Sequence, residues 1–233
     1  MEKNNDLQLL RPRSIAAVVR DGYRLYMGNF RRIFRTSWLM ALLYALAFAW
    51  LMSNMVYYII PLHVVGLWHI VSLAAFVISA LLLASYALAA CREHRQTGSI
   101  SRCRHWWGTW PCLKALVLLL KGVRWFFTAG LRRFGLLFAT LLVTAIITLL
   151  LTFFCELPGI IIGTANVKAY AGMFMGDELG MPDYLPTLTF VAFTIAGFIQ
   201  AYVHLTTIFP FYYAYGTIEH QRQERKHFNM QTL

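Results

Sequence analysis

Two sets of polar side chains interrupt otherwise apolar stretches, and these residues have the types and spacing that could do chemistry. The first set recurs at four-residue intervals and is followed at the same interval by Glu156: Thr140, Thr144, Thr148 and Thr152. The second set lies in a later apolar stretch: Thr194, Gly197, Gln200 and His204. Residues four apart share one face of a helix, and polar side chains at membrane depth serve either helix contacts or a solute pathway. We expect the two faces to pack together; the alternative is an ion or solute pathway with His204 as proton carrier.

Motifs for catalysis and metal binding are missing. No Gly-x-Ser-x-Gly, Walker or His-Glu-x-x-His pattern occurs. Soft ligands gather in one predicted loop, at spacings typical of no zinc site: Cys91, His94, Cys103, His105 and Cys112. We therefore predict reduced cysteines, no cofactor or metal, and a non-enzymatic protein. A lipid-modifying enzyme is a further hypothesis, but no catalytic constellation favours it.

Composition places these residues in a membrane protein. The chain has 233 residues, of which 59% are hydrophobic and 13% charged, with a mean hydropathy of +0.56, outside the range of soluble domains. From Thr36 to Ala90 there is no Asp, Glu, Lys or Arg. Runs of this kind form membrane-spanning helices, because hydrocarbon cannot satisfy bare backbone groups. We predict an all-α integral membrane protein with four transmembrane helices, at about 36–60, 64–90, 135–155 and 185–217.

The lysines and arginines indicate the orientation. Eight precede the first span, nine lie between the second and third, and three follow the fourth, whereas Lys168 alone lies in the predicted outer loop, 156–184. The positive-inside rule then places both termini in the cytoplasm of a multi-pass inner-membrane protein. Because the basic residues flank apolar spans, anionic lipid head groups are the expected partner, and nucleic acid is not.

Two basic segments, 13–35 and about 113–133, have the periodicity of amphipathic helices lying in the membrane interface. In the first, the predicted lipid-facing residues are Ile15, Val19, Tyr26, Phe30 and Ile33. The residues predicted to contact head groups are Arg13, Arg20, Arg24, Arg31, Arg35, Lys114, Lys121, Arg124 and Arg132. The alternative is an amphipathic helix packed on protein.

The two halves of the chain, 1–97 and 98–233, resemble each other. Gly22-Tyr-Arg-Leu-Tyr26 is similar to Gly122-Val-Arg-Trp-Phe126, and Glu93-His94 recurs as Glu219-His220. We infer a parallel internal repeat of surface helix, span and span, followed in the second copy by a cytoplasmic tail, 218–233.

The segment Asp21-Gly-Tyr-Arg-Leu-Tyr-Met-Gly-Asn-Phe-Arg-Arg32, followed by a long span, resembles uncharacterised polytopic bacterial inner-membrane proteins. It is also loosely similar to the membrane domain that accompanies some glycerophosphodiester phosphodiesterases. The sequence contains no hydrolase domain and no acidic metal ligands, so the resemblance implies a membrane module and no reaction.

We therefore expect a non-enzymatic membrane module that binds anionic lipid through its basic surface helices. It is expected to associate with itself, as a homo-oligomer, or with another membrane protein. The alternative is a small transporter or channel subunit that uses the polar face of the third and fourth spans.

Overall fold

Four long helices make up the described part of the chain. The computed structural model describes residues 9–58, 66–97, 100, 117, 121, 134–176 and 182–231. The helices are α1 (Ile15–Tyr58), α2 (Leu67–Thr97), α3 (Phe134–Phe174) and α4 (Leu185–Gln231). Each contains a stretch long and apolar enough to cross a membrane. For the residues that the structure describes, the predicted all-α architecture with four helices able to span a membrane is thus confirmed.

The predicted surface helix over 13–35 is not a separate element. The first helix, α1, begins after Ser14, whose Oγ accepts a hydrogen bond from the Ala17 backbone N–H at 3.3 Å, as an N-cap does. It then continues through the basic segment into the apolar segment, as far as Tyr58. Its sequence contains no proline, so nothing in it interrupts the backbone hydrogen bonds between the two segments.

The apolar face of this basic segment packs mainly on protein. Val19, Tyr26 and Ile33 are buried, and the Tyr26 ring lies 5.3 Å from that of Phe209 in α4. Of the predicted lipid-facing residues, only Ile15 and Phe30 remain partly exposed. The structure therefore favours the alternative, an amphipathic helix packed on protein, because the same periodicity serves either neighbour.

The third and fourth helices extend beyond their predicted ends. The helix α3 does not stop at Cys155 but continues to Phe174, so most of the predicted outer loop is helical. Two residues beyond its end, Gly176 has a φ of +86°, a left-handed conformation that glycine adopts without strain. Residues 218–231, predicted as a tail, continue α4. There Arg222 pairs with Glu219 at 3.6 Å.

The second predicted surface helix and the second copy of its repeat motif lie outside the described residues, apart from Val117 and Lys121, which are exposed. The internal repeat therefore stays a prediction.

The residues form two compact units. The first unit comprises Met1–Ser37, Ala84–Thr148 and His204–Leu233, and the second comprises Trp38–Leu83 and Leu149–Val203. A core of Val18, Leu137, Ala214 and Ile218 lies in the first unit. In the second unit, Phe48 forms ring contacts with Tyr44, Phe76 and Phe193.

In the first unit the segment before α1 is docked on α4. Leu9 is buried, and a Cβ atom added at Gly216 would lie 2.5 Å from the Leu9 carbonyl oxygen. The Thr217 hydroxyl donates to the Arg11 carbonyl at 3.3 Å. Arg13 pairs with Asp21 at 3.2 Å and donates to the Leu9 carbonyl at 2.8 Å.

The helix α1 approaches α4 closely at Gly22. A Cβ atom there would lie 2.5 Å from the Pro210 nitrogen and 2.6 Å from its Cα. Backbone atoms cannot move aside as a side-chain end can, so alanine forces the helices apart. Gly28 lies in the same helix with no atom within 4 Å of its added Cβ and offers a matched control.

We expect Gly22→Ala to destabilise the protein by about 1–3 kcal/mol, the usual cost of overpacking. Gly28→Ala should be neutral or stabilising by up to about 1 kcal/mol, because alanine is the better helix former. The measurement is the temperature at which each purified variant loses its monodisperse peak in mild detergent. Equal midpoints for the two variants would show that the contact with Pro210 does not limit packing.

Candidate functional site

A hydrogen bond between Glu156 and Gln200 joins α3 to α4 in the second unit. The Gln200 Nε2 donates to a Glu156 carboxylate oxygen at 2.9 Å. Gln200 is only 6% exposed, and Glu156 is half-buried. Glu156 continues the four-residue spacing of the threonine row on α3, and Gln200 belongs to the polar face predicted on α4. This hydrogen bond therefore joins the two predicted faces.

The fourth helix contains no Asp, Glu, Lys or Arg between Leu185 and Thr217. A span takes about 20 residues, and any window of that length within the run includes Gln200, so we expect this bond to lie at membrane depth. Glu156 is helical, so the prediction that a loop begins there is wrong. The charged residue was taken as the end of a span, whereas it is an interior residue of a longer helix.

Close packing supports the bond. One turn beyond Glu156, a Cβ atom added at Gly159 would lie 2.7 Å from the Phe193 ring, and one added at Gly163 would lie 3.5 Å from it. Two glycines four apart allow helices in lipid to approach closely. This pair was not predicted from the sequence, although two glycines at four-residue spacing, Gly159-x-x-x-Gly163, indicate a close contact between helices.

A second polar contact between the same helices was also missed. The Asn166 Nδ2 donates to the Thr189 Oγ at 3.2 Å, and both side chains are fully buried. The Thr189 hydroxyl in turn donates to the Leu185 carbonyl at 2.8 Å. The sequence does not predict the contact between Asn166 and Thr189, because a single Asn near a lysine, here Lys168, is typical of a loop.

The threonine row is only partly available for contacts between helices. Thr140 and Thr144 donate to backbone carbonyls four residues earlier, at 2.8 and 2.7 Å, as threonines in apolar helices do. Thr148 and Thr152 have buried hydroxyl oxygens that find no hydrogen-bond partner in the part of the chain that the structure describes.

The face predicted on α4 does not point as one surface towards α3. Thr194 donates to the Phe190 carbonyl of its own helix at 2.8 Å. A Cβ atom at Gly197 would lie 2.8 Å from the Phe48 ring and 3.2 Å from the Ala45 Cα, so Gly197 packs on α1. His204 is half-buried and belongs to the first unit. Of the predicted residues on α4, Gln200 is the one that the described contacts pair with α3.

The arginines of the predicted surface helix, 13–35, differ in their surroundings. Arg13 is largely buried, with 10% of its side chain exposed, and its guanidinium lies 4.8 Å from the centre of the Tyr213 ring, so it serves the protein's own packing. The others in the first predicted surface helix are exposed: Arg20, Arg24, Arg31 and Arg35. Lys121 is exposed as well, whereas Lys114, Arg124 and Arg132 lie outside the described residues.

Cysteine and histidine side chains form no metal cluster in the described ranges. Cys91 and Cys155 are free thiols there. Cys103, His105 and Cys112 of the predicted loop lie outside those ranges, so the absence of a metal stays a prediction.

The chain matches no protein-family model, and neither the curated proteins nor the solved structures contain a significant match. The assignment of function therefore depends on the geometry of the chain itself.

We expect the Glu156–Gln200 bond to appear as a coupling energy between the two positions. Glu156→Met and Gln200→Met each leave one polar group without its partner, whereas the double variant removes both. The double variant should then be more stable than the sum of the single changes predicts, by about 0.6–1.5 kcal/mol. Equilibrium unfolding of the four proteins in bicelles measures this difference.

Glu156→Met combined with Thr194→Val is the control. Thr194 bonds within its own helix, so these two changes should add. Additive effects for Glu156 with Gln200 as well would contradict the bond.

Proposed function

We propose that this chain is a non-enzymatic module of the cytoplasmic (inner) membrane that binds anionic lipid head groups through arginines of α1. One observation carries the proposal: Arg20, Arg24, Arg31 and Arg35 are exposed at spacings that put them on one side of α1, and the uncharged part of that helix begins at Thr36. Guanidinium groups bind phosphate through paired N–H donors, so the arginines nearest to the uncharged part of α1 are suited to bind phospholipid head groups.

The continuity of α1 narrows the set of arginines that reach the head groups. At about 1.5 Å per residue, Arg31 lies about 7 Å before Thr36 along the helix, Arg24 about 18 Å and Arg20 about 24 Å. The polar region of a bilayer leaflet is only about 5–8 Å deep. Arg31 and Arg35 are therefore proposed as the head-group ligands, and Arg20 and Arg24 as residues beyond direct contact.

We expect Arg31→Gln/Arg35→Gln to weaken anionic-lipid binding, because each arginine near such a surface contributes about 1 kcal/mol. The measurement is the gain in thermal midpoint on transfer from phosphatidylcholine to phosphatidylglycerol nanodiscs, which should fall by more than half. Arg20→Gln/Arg24→Gln removes the same charge and should keep most of the gain. If both double variants lose the same part of the gain in thermal midpoint, the effect comes from total charge, and the assignment of Arg31 and Arg35 as the head-group ligands is overturned.

Association with a second membrane protein or a second copy is the other part of the proposal. The apolar stretch of α3 is the least buried of the four, and large side chains such as Leu149, Phe154 and Ile161 are exposed along it. Lipid covers such a surface as well as protein does, so this surface permits association without requiring it.

The proposed orientation has both termini in the cytoplasm and Lys168 outside. We expect a membrane-impermeant amine reagent to label Lys168, which is exposed, in intact cells, and to label Lys226 only after the cells are opened. Labelling of Lys226 in intact cells, with Lys168 protected, would reverse the topology. Lys168→Arg supplies the control for assignment of the labelled peptide.

A further inference from the structure

We propose that Glu156 is an intramembrane proton-binding group, and that the side-chain amide of Gln200 is its hydrogen-bond partner in both the ionised and the protonated state. This goes beyond the lipid-binding module proposed above and does not depend on it.

The sequence on either side of Glu156 is apolar. Leu157 follows it, and Phe153 and Ile160 lie one turn away on either side. Within the described part of the chain, no lysine or arginine pairs with Glu156. A charged carboxylate at membrane depth is costly unless it is paired, so proton uptake is the available way to remove the charge.

The side-chain amide of Gln200 can form a hydrogen bond with Glu156 in either protonation state. Its Nε2 donates to the carboxylate at 2.9 Å, while its Oε1 is buried with no hydrogen-bond partner among the described residues. An ionised carboxylate only accepts hydrogen bonds, whereas a carboxylic acid also donates one. Rotation of the amide about its last side-chain bond would present Oε1 to the acid, so one residue satisfies both states. A lysine or arginine in its place would hold Glu156 permanently ionised.

Other titratable groups face the same site. Tyr44 of α1, which is buried, and the adjacent Cys155 interact electrostatically with Glu156. Neither carries a positive charge that would stabilise the carboxylate. Further ionisable side chains of the second unit lie nearer the helix ends: His69 of α2, Lys168 of α3 and Asp183 before α4.

Proton binding at Glu156 is compatible with the transporter hypothesis but does not require transport. A protonation site without flux would leave the lipid-binding module intact and add a pH-dependent contact between α3 and α4. The experiment therefore measures proton occupancy directly.

The test uses dicyclohexylcarbodiimide, an apolar reagent that adds to protonated carboxyl groups. The carboxyl proton moves to one carbodiimide nitrogen while the carboxyl oxygen bonds to the central carbon, and an O-to-N acyl shift then gives a stable N-acylurea. Nothing leaves, so the mass of the protein increases by the mass of the whole reagent. The full-length protein in nanodiscs is treated across a pH series, and the adduct is quantified by intact mass and peptide mapping. We expect one dominant adduct at Glu156, decreasing as pH rises, and its loss in Glu156→Gln. Mapping separates Glu156 from the neighbouring Cys155.

The variant Gln200→Met tests the role of Gln200 through the pH midpoint of labelling at Glu156. The bond to the ionised form is the stronger of the two that the amide makes, so its loss should move the labelling midpoint about one pH unit higher. Thr194→Val, on the same helix, should leave the midpoint unchanged.

An infrared band from a protonated carboxyl, lost in Glu156→Gln and decreasing with pH, provides a second measurement that needs no reagent. Absence of both the adduct and the band at Glu156 across the pH series would overturn the proposal. A midpoint unchanged in Gln200→Met would overturn the part assigned to Gln200.

Discussion

Hydrocarbon offers no hydrogen-bond partner to a peptide group, and this constraint explains why the apolar stretch of each of the four helices is continuous. Once a segment is helical at membrane depth, it continues until a residue stops it. No proline stops α1, and Pro158 lies within α3 without ending it. The lone Glu156 does not end the helix either, because its carboxyl group finds the amide of Gln200.

Contacts between helices in lipid depend on shape and on hydrogen bonds, because apolar side chains gain little by exchanging lipid for protein. This chain shows both within its units. Glycines allow close approach at Gly22 and Gly159, and polar side chains bond across helices at Glu156 and Asn166. Aromatic rings add contacts such as that of Tyr26 with Phe209, whereas many bulky apolar residues of α3 are left exposed.

Much of the fold could be predicted from the sequence, and less of the site. Uninterrupted runs such as Thr36 to Ala90 predict spans because charge is costly in lipid. The ends of the helices were less predictable, because a charged residue can lie inside a helix when it has a partner. The partner of Glu156 is Gln200, 44 residues away in the sequence, so local sequence does not reveal it. The face of α1 that includes Tyr26 was assigned to lipid although it packs on Phe209, because periodicity reports burial and not the identity of the neighbour.

The docking of Leu9 and Arg11 on Gly216 and Thr217 has a consequence for biogenesis. Translation proceeds from the amino end, so Leu9 and Arg11 are synthesised well before the helix α4 on which they pack. Thr217 lies 206 residues after Arg11, and the contact can form only once that part of α4 has been made. A ribosome that stalls earlier therefore leaves this segment without the surface that binds it.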